Sequence, residues 1–244
     1  MTSAKADGYT LLFTSIAVTQ NPAVFRNMPD DPLKDLIAIA NFGESSTLVA
    51  VSADKIPSRT LGEFIALLKR SPPKTYNIAG AGGQRMTMEK FMLQFGVALE
   101  QVNYRSGGDA AVALISGDVH LQLNNATTLA SGVRSGKIRL LAVAGETRLS
   151  AFPDVPTTAE AGFPDYIEKA HVGLYAASAT PRDIVARLHT SVMRAIASPE
   201  VQRTMATLDY VPSQLTQAQA DACYRSEVQR WKDVARKANL PYTD

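Results

Sequence analysis

Asn77-Ile78-Ala79-Gly80-Ala81-Gly82-Gly83-Gln84-Arg85 is the stretch whose residue types and spacing come nearest to a chemistry. Thr75 to Ala79 reads as a short strand. Met88, Phe91, Met92 and Phe95 then fall at i, i+3, i+4 and i+7, the stripe of an amphipathic helix. A glycine-rich turn between a strand and a helix start leaves backbone N–H groups unpaired and lets a ligand approach the main chain. Those donors, with the positive end of the helix dipole, favour an anion, here read as a carboxylate. The plain alternative is a tight connection that holds no ligand.

Other chemistries find no support. A serine nucleophile elbow, Gly-x-Ser-x-Gly, does not occur. The glycine turn fails the dinucleotide fingerprint, because Arg85 stands where the third glycine belongs. Gly132-Val133-Arg134-Ser135-Gly136-Lys137-Ile138 has one spacer too few for a phosphate loop and lacks the Ser or Thr that holds magnesium. His120, His171 and His189 lie far apart, and none has a second ligand at i+3 or i+4. His189 is expected on the solvent side of a helix, and His120 and His171 as structural residues of strands. Glu44, Glu89 and Asp109 are candidate partners for a carboxylate pair, but spacing alone gives them no geometry. The expectation is binding without catalysis, cofactor or metal.

The elements that must position the turn can be read in order. Asp7-Gly8 is a turn, and Tyr9 to Thr14 a buried strand. Residues 15–25 hold a short helix broken at Asn21-Pro22. Leu36 to Phe42 and Ser46 to Ser52 read as two strands joined by Gly43-Glu44. Thr60-Leu61-Gly62-Glu63 is a capping box opening a helix with Leu61, Phe64, Ile65 and Leu68 on its apolar face. After the glycine turn and its helix, Leu99 to Tyr104 is a strand, and Ser106-Gly107-Gly108-Asp109 opens a helix closed by Gly117. Val119 to Leu123 alternates with period two and ends at Asn124-Asn125, which caps the helix 126–133. Ile138 to Ala144 is a further strand. Thr157 to Glu160 is a second capping box, for a helix stopping at Gly162. Ala170 to Ala177 is a strand, and Thr180-Pro181-Arg182-Asp183 starts a long helix. A short helix from Pro199 follows. A last helix, capped at Thr216, buries Tyr224, Val228, Trp231, Val234 and Ala235.

Alternation of strand and helix between residues 46 and 144 predicts βαβ units and a largely parallel sheet. The aperiodic segment 144–170 suggests a crossing between two lobes. The 244 residues suffice for one large domain or two small lobes. At 45% hydrophobic and 20% charged, the composition is globular. A net charge of +2 without a basic run gives no argument for nucleic acid. The single cysteine, Cys223, excludes an internal disulfide. No apolar run approaches the ~18–20 residues that span a bilayer. The first residues carry no apolar leader, so a cytoplasmic location is expected if Met1 is the true start.

Several short motifs together resemble one family. Asp7-Gly8-Tyr9-Thr10-Leu11-Leu12, Asn21-Pro22-Ala23-Val24-Phe25 and Asp31-Pro32-Leu33-Lys34-Asp35 come first. Gly136-Lys137-Ile138-Arg139-Leu140-Leu141-Ala142-Val143 follows, then Phe152-Pro153-Asp154-Val155-Pro156-Thr157-Thr158-Ala159-Glu160-Ala161-Gly162, the most specific of the set. Gly173-Leu174-Tyr175-Ala176, Thr180-Pro181 and Ile184 to Leu188 complete it. These are similar to the substrate-binding proteins of tripartite tricarboxylate transporters, the Bug-type receptors, over essentially the whole chain.

The resemblance implies an α/β, two-lobed periplasmic-binding-protein-like architecture of type II, with lobe 1 from 1–45 and 172–244 and lobe 2 from 46–171. It implies a periplasmic receptor that clamps a small organic acid between lobes and delivers it to membrane transporter subunits. The carboxylate is then held mainly by backbone N–H groups and waters. By position, the ligand contacts would be Gly80, Ala81, Gly82, Gly83 and Gln84, the turn Ser106-Gly107-Gly108, and Asn124 in lobe 2, with Thr14, Ser15 and Ala17 in lobe 1.

Three departures from the family pattern stand out. The strand, carboxylate loop and helix that precede the Asp-Gly-Tyr-Thr motif in the family have no counterpart here, so the first lobe is expected to be incomplete at its N-terminus. Leu123-Asn124 replaces an aromatic–Asp pair, which removes a charge. Arg85 stands where the family has a histidine, and it either pairs with the ligand carboxylate or is solvated on the first helical turn. Three readings follow: a carboxylate receptor, a truncated receptor serving as a binding or interaction domain, and an enzyme using Arg85 with Asp109 or Glu89.

Overall fold

The computed structural model describes residues 4–28, 31–81 and 84–242. The chain divides into two compact units, residues 1–45 with 170–244, and residues 46–169.

The 1–45/170–244 unit is built on antiparallel pairing. β1 (Leu12–Ser15) runs against β7 (Lys169–Ala177), with Phe13 opposite Leu174 and Thr14 opposite Gly173. β7 neighbours β2 (Leu36–Ser52), and the short β8 (Val211–Pro212) adds to β2 at Gly43 and Glu44. Successive strand residues face opposite sides. Ile39 and Ala176 accordingly meet Val185, Val192 and Ile196 of α7 (Arg182–Ile196) and Met205 of α8 (Pro199–Thr207). Leu36, Ala38 and Tyr175 meet Val18 of α1 (Ala17–Val24) and Tyr224 and Val228 of α9 (Gln217–Lys237). The one-turn α2 (Pro32–Asp35) leads into β2.

The 46–169 unit has its sheet in the order β6-β2-β5-β3-β4. β3 (Asn77–Ala81) lies parallel to β4 (Glu100–Tyr104) and to β5 (Leu121–Asn124). β2 runs antiparallel to β5 and to β6 (Ile138–Ala144). The largely parallel sheet thus contains one reversed central strand. Val49 and Val51 point to the face covered by α3 (Leu61–Arg70) and α4 (Arg85–Phe95). Leu48 and Ala50 point to the face covered by α5 (Gly107–Ser116) and α6 (Ala126–Arg134). α3 buries Leu61, Phe64, Ile65, Leu67 and Leu68, about 1.5–3 kcal/mol for each large side chain fully removed from water.

Three expectations are corrected. Leu36 to Ser52 is one continuous strand, not two. Gly43 is not a turn residue: a Cβ there would sit 2.6 Å from the Val211 carbonyl oxygen, so glycine admits the close approach of β8. The first strand starts at Leu12, and Tyr9 is 93% exposed. Thr157 and Glu160 do exchange both hydrogen bonds of a capping box, at 3.1 and 2.8 Å, but they close a turn and no helix. Glu160 is drawn outward as well, to Arg148 at 2.8 Å.

Candidate functional site

Neighbouring parallel strands bring their C-terminal ends to one edge of a sheet. β3, β4 and β5 end at Ala81, Tyr104 and Asn124, and α4, α5 and α6 begin at Arg85, Gly107 and Ala126. Ala81 is registered with Tyr104, and Ala79 with Gln122, so the three strand ends lie together. Three helix N-termini therefore gather along one edge of the 46–169 sheet. That edge is where open α/β sheets bind ligands, and where helix-start N–H groups favour an anion.

The β3–α4 turn is closed by its own residues. A Cβ on Gly80 would stand 3.0 Å from Met88 Sδ and 3.2 Å from Gln84 Cβ, so glycine lets α4 pack down on β3. The Ala81 N–H donates to Gln84 Oε1 at 2.8 Å, and Gln84 Nε2 donates to the Leu123 carbonyl at 3.4 Å. The Gln84 side chain thus ties the turn to β5. Gly82 and Gly83, the centre of the expected site, lie outside the described residues.

Arg85 is the first residue of α4 and is half-buried. The first turn of α4 has no acidic residue. A cation there opposes the helix dipole and strengthens the case for an anion beside it. Glu89, one turn on, accepts from Gln101 Nε2 on β4. Asp109 is exposed, and its N–H donates to Ser106 Oγ at 3.1 Å. Among the described residues Arg85 forms an ion pair with neither carboxylate.

Ser106 caps α5, and Gly107 and Gly108 open it. Asn125 caps α6, its Oδ1 accepting from the Thr128 N–H at 2.9 Å. Asn124 lies between these helix starts and is 8% exposed. Its Oδ1 accepts from the Asn125 N–H at 2.8 Å, which fixes which end of the amide is which. Its Nδ2 faces Gly107, 2.7 Å from the place a Cβ would occupy. Beneath it, Gln122 is fully buried and donates from Nε2 to the Gly107 carbonyl at 2.9 Å. Asn124 Nδ2 and Gln122 Oε1 have no hydrogen-bond partner among the described residues. Each buried polar atom left in that state costs about 1–3 kcal/mol. Gln122 was missed from the sequence; the signal for it is an amide between Leu121 and Leu123 in a buried strand.

In the other unit, Thr14 is half-buried on β1, Ser15 is exposed, and Ala17 opens α1 half-buried. The α1 N-cap, Ile16, offers no side-chain cap, and Thr19 Oγ1 donates to the Ile16 carbonyl at 2.8 Å.

The histidines serve structure. His120 exchanges hydrogen bonds with Asn77, at 2.8 Å from its N–H to Asn77 Oδ1. His171 is 9% exposed, and burial pushes its pKa down. His189, expected on the solvent side, is half-buried with Nδ1 3.0 Å from the Ile39 carbonyl. Among the described residues no group of three His, Cys, Asp or Glu is placed to hold a metal, and no helix is long and apolar enough to cross a membrane.

Fold and sheet-edge geometry are those of an α/β receptor of the periplasmic-binding-protein kind. The chain belongs to the tripartite tricarboxylate transporter family receptors, whose sequence model matches residues 1–240. It is 30% identical to protein BugT of Bordetella pertussis over 237 residues, 95% of this chain and 72% of that protein. A solved structure described as a periplasmic transporter superposes with a TM-score of 0.84 at 30% identity, covering 98% of this chain and 81% of the other. MatC from Rhodopseudomonas palustris, solved with bound malate, superposes with a TM-score of 0.79 at 27% identity, covering 95% and 81%.

Proposed function

We propose that this protein is an extracytoplasmic receptor that binds a small organic carboxylate and delivers it to the membrane subunits of a tripartite tricarboxylate-type transporter. The observation that carries the reading is the gathering of the α4, α5 and α6 N-termini at one sheet edge, with Arg85 on the first of them. Backbone N–H groups at the starts of α4 and α5 supply the donors, the Ala81 N–H itself being taken by Gln84 Oε1, with Arg85 the countercharge and Asn124 a side-chain donor. In the 1–45/170–244 unit, Thr14, Ser15 and Ala17 are the candidate contacts, and Ser15→Ala tests them separately. The malate bound to MatC supports an acid of this size as the ligand class. The two compact units correspond, in this reading, to the two lobes of the receptor class, and the periplasm is its compartment.

Thermal melting against a panel of mono-, di- and tricarboxylates tests the reading. A ligand at 100 times its Kd stabilises the folded state by about 2.7 kcal/mol. A melting temperature that no acid raises overturns it. Isothermal titration with the best acid then gives the stoichiometry, expected to be one per chain.

A further inference from the structure

We infer that Glu168 is a positioning residue: it ties the start of α4 to the two segments that join the 46–169 unit to the rest of the chain, so that an acid held at that helix start orders both segments. The inference rests on the carboxylate reading above and adds what binding does inside the unit. The chain passes between its two compact units twice, at Ser45/Ser46 and at Lys169/Ala170. Close to those points the two segments are tied to each other. The Thr47 N–H donates to the Glu168 carbonyl at 3.0 Å, and the Glu168 N–H donates to the Ala144 carbonyl at 2.9 Å. The Glu168 side chain, 2% exposed, reaches α4. Its Oε1 accepts from Thr87 Oγ1 at 3.4 Å and its Oε2 from Lys90 Nζ at 2.6 Å, and Lys90 Nζ also donates to the Ile167 carbonyl.

Thr87 and Lys90 stand three residues apart on one face of α4, and Thr87 lies in the first turn, two residues from Arg85. The side chains that hold Glu168 and the N–H groups offered to an anion therefore belong to the same stretch of helix. Packing alone does not call for the charges. Tyr166 already seats the segment on α4, its ring centroid 5.7 Å from that of Phe91 and 5.0 Å from that of Phe95. Lys90 is 14% exposed, so both partners of the ion pair are largely removed from water. Such a pair adds little net stability over well-packed apolar side chains. Its distinctive contribution here is directional: one carboxylate is fixed by a hydroxyl and an ammonium from neighbouring turns. An acid that fixes the α4 start fixes Glu168 through these two donors, and Thr47 through the Glu168 carbonyl.

Hydrogen exchange of the full chain, read amide by amide with and without saturating L-malate, succinate or citrate, tests the coupling. In the unmodified protein the acid is expected to slow exchange at the α4 start and also at the amides of positions 47 and 168, each by at least about fivefold. Lys90→Met combined with Glu168→Leu removes both charges together, because losing one partner alone strands the other in a buried place. This double variant is expected to melt about as before and to keep acid-dependent protection at the α4 start. It should lose that protection at positions 47 and 168 and bind the acid at least about fivefold more weakly. Thr87→Val, which leaves the ion pair in place, is the milder variant, expected to lower the protection at 47 and 168 by about twofold. Protection confined to α4 in the unmodified protein overturns the inference, as does protection at 47 and 168 that either variant leaves unchanged. Affinity and melting temperature falling together in the double variant also overturn it, since that is the mark of a pair that only holds the fold. If no acid changes exchange at any amide, the carboxylate reading itself fails, a result distinct from protection confined to α4.

Discussion

The two ends of β3 and β5 treat their polar groups in opposite ways. At the N-terminal end, Asn77 and His120 satisfy each other. The His120 N–H donates to Asn77 Oδ1 at 2.8 Å, Asn77 Nδ2 donates to the Asp118 carbonyl at 3.3 Å, and Tyr76 packs edge-on against the imidazole at 5.1 Å. At the C-terminal end of the same strands, Gln122 and Asn124 each keep one buried polar atom without a partner among the described residues, beneath three helix starts. Both ends use Asn beside a parallel neighbour, so residue type does not explain the contrast. The contrast, a closed end against an open one, holds for these side chains and not for the whole edge, since Ser52, whose N–H donates to the His120 carbonyl at 3.1 Å, keeps its Oγ buried and without a partner among the described residues. At the open, helix-start end each such group leaves about 1–3 kcal/mol unrecovered.

The largest expected effect lies at the open end. Arg85→Ala should weaken carboxylate binding by about 1.5–3 kcal/mol, the scale of a hydrogen bond to a charged group. Stability should change little, because the half-buried cation at a helix N-terminus opposes the dipole. Titration calorimetry gives the affinity and thermal melting the stability. An unchanged affinity would return Arg85 to the ordinary surface and weaken the contrast between the two ends.

Gly107→Ala asks whether the packing of the Asn124 amide on Gly107 matters to the ligand. The new methyl carbon would stand 2.7 Å from Nδ2, so the amide must move. Binding should fall by about 1–2 kcal/mol through the displaced donor. Alanine is also the better helix former, by up to about 1 kcal/mol, so the protein should melt no lower than before. Affinity lost without stability lost separates a ligand-facing glycine from a packing one. Loss of both would make Gly107 a structural residue like Gly43.

The sequence reveals some of this architecture directly and some of it hardly at all. Capping residues are local, and Thr60, Ser106, Asn125 and Thr216 do cap α3, α5, α6 and α9. The stripe on α4 is local too, and Met88, Phe91 and Phe95 are buried. Local chemistry misleads where a long-range neighbour sets the role. Gly43 resembles a turn glycine until β8, more than 160 residues later, is seen pressing on it. The meeting of Asn124 with Gly107 depends on β4 and β5 flanking β3, which no spacing along the chain encodes. Resemblance to the family drew attention to Asn124 and Arg85 as departures, but it does not give the direction of the Asn124 amide. That direction follows from the Asn125 N–H.

Asn77→Ala is the counterpart experiment at the closed end. It removes the acceptor for the His120 N–H and the donor to the Asp118 carbonyl. Stability should fall by about 1 kcal/mol, the net worth of such bonds in a partly buried setting. Carboxylate affinity should hold, since the altered end is the opposite one from the helix starts. Urea unfolding and calorimetry on one preparation check both halves. A drop in affinity equal to the drop in stability would show that the two ends are not independent.

The smallest effect is the pH response of the closed end. Burial, with the nearby Lys55 charge second, pushes the His120 pKa below its ordinary 6.5. The unfolded chain then binds more protons than the folded one between those two values, so stability rises with pH across that window. The contribution is fully present above about pH 6.5 and is lost as acidification carries the solution through the lowered folded value. Replacing His120 with Gln removes this term, while His171, also depressed by burial, titrates alike in both proteins and cancels in their difference. The stability difference between the two proteins should therefore stay level above about pH 7 and shift in favour of the variant from pH 6.5 downward. Denaturant midpoints in half-unit steps from pH 7.5 to 5 would measure it. A difference that stays level through that whole range would mean that Asn77 and its neighbours accommodate the imidazolium, and that the closed end is less rigidly paired than its hydrogen bonds indicate.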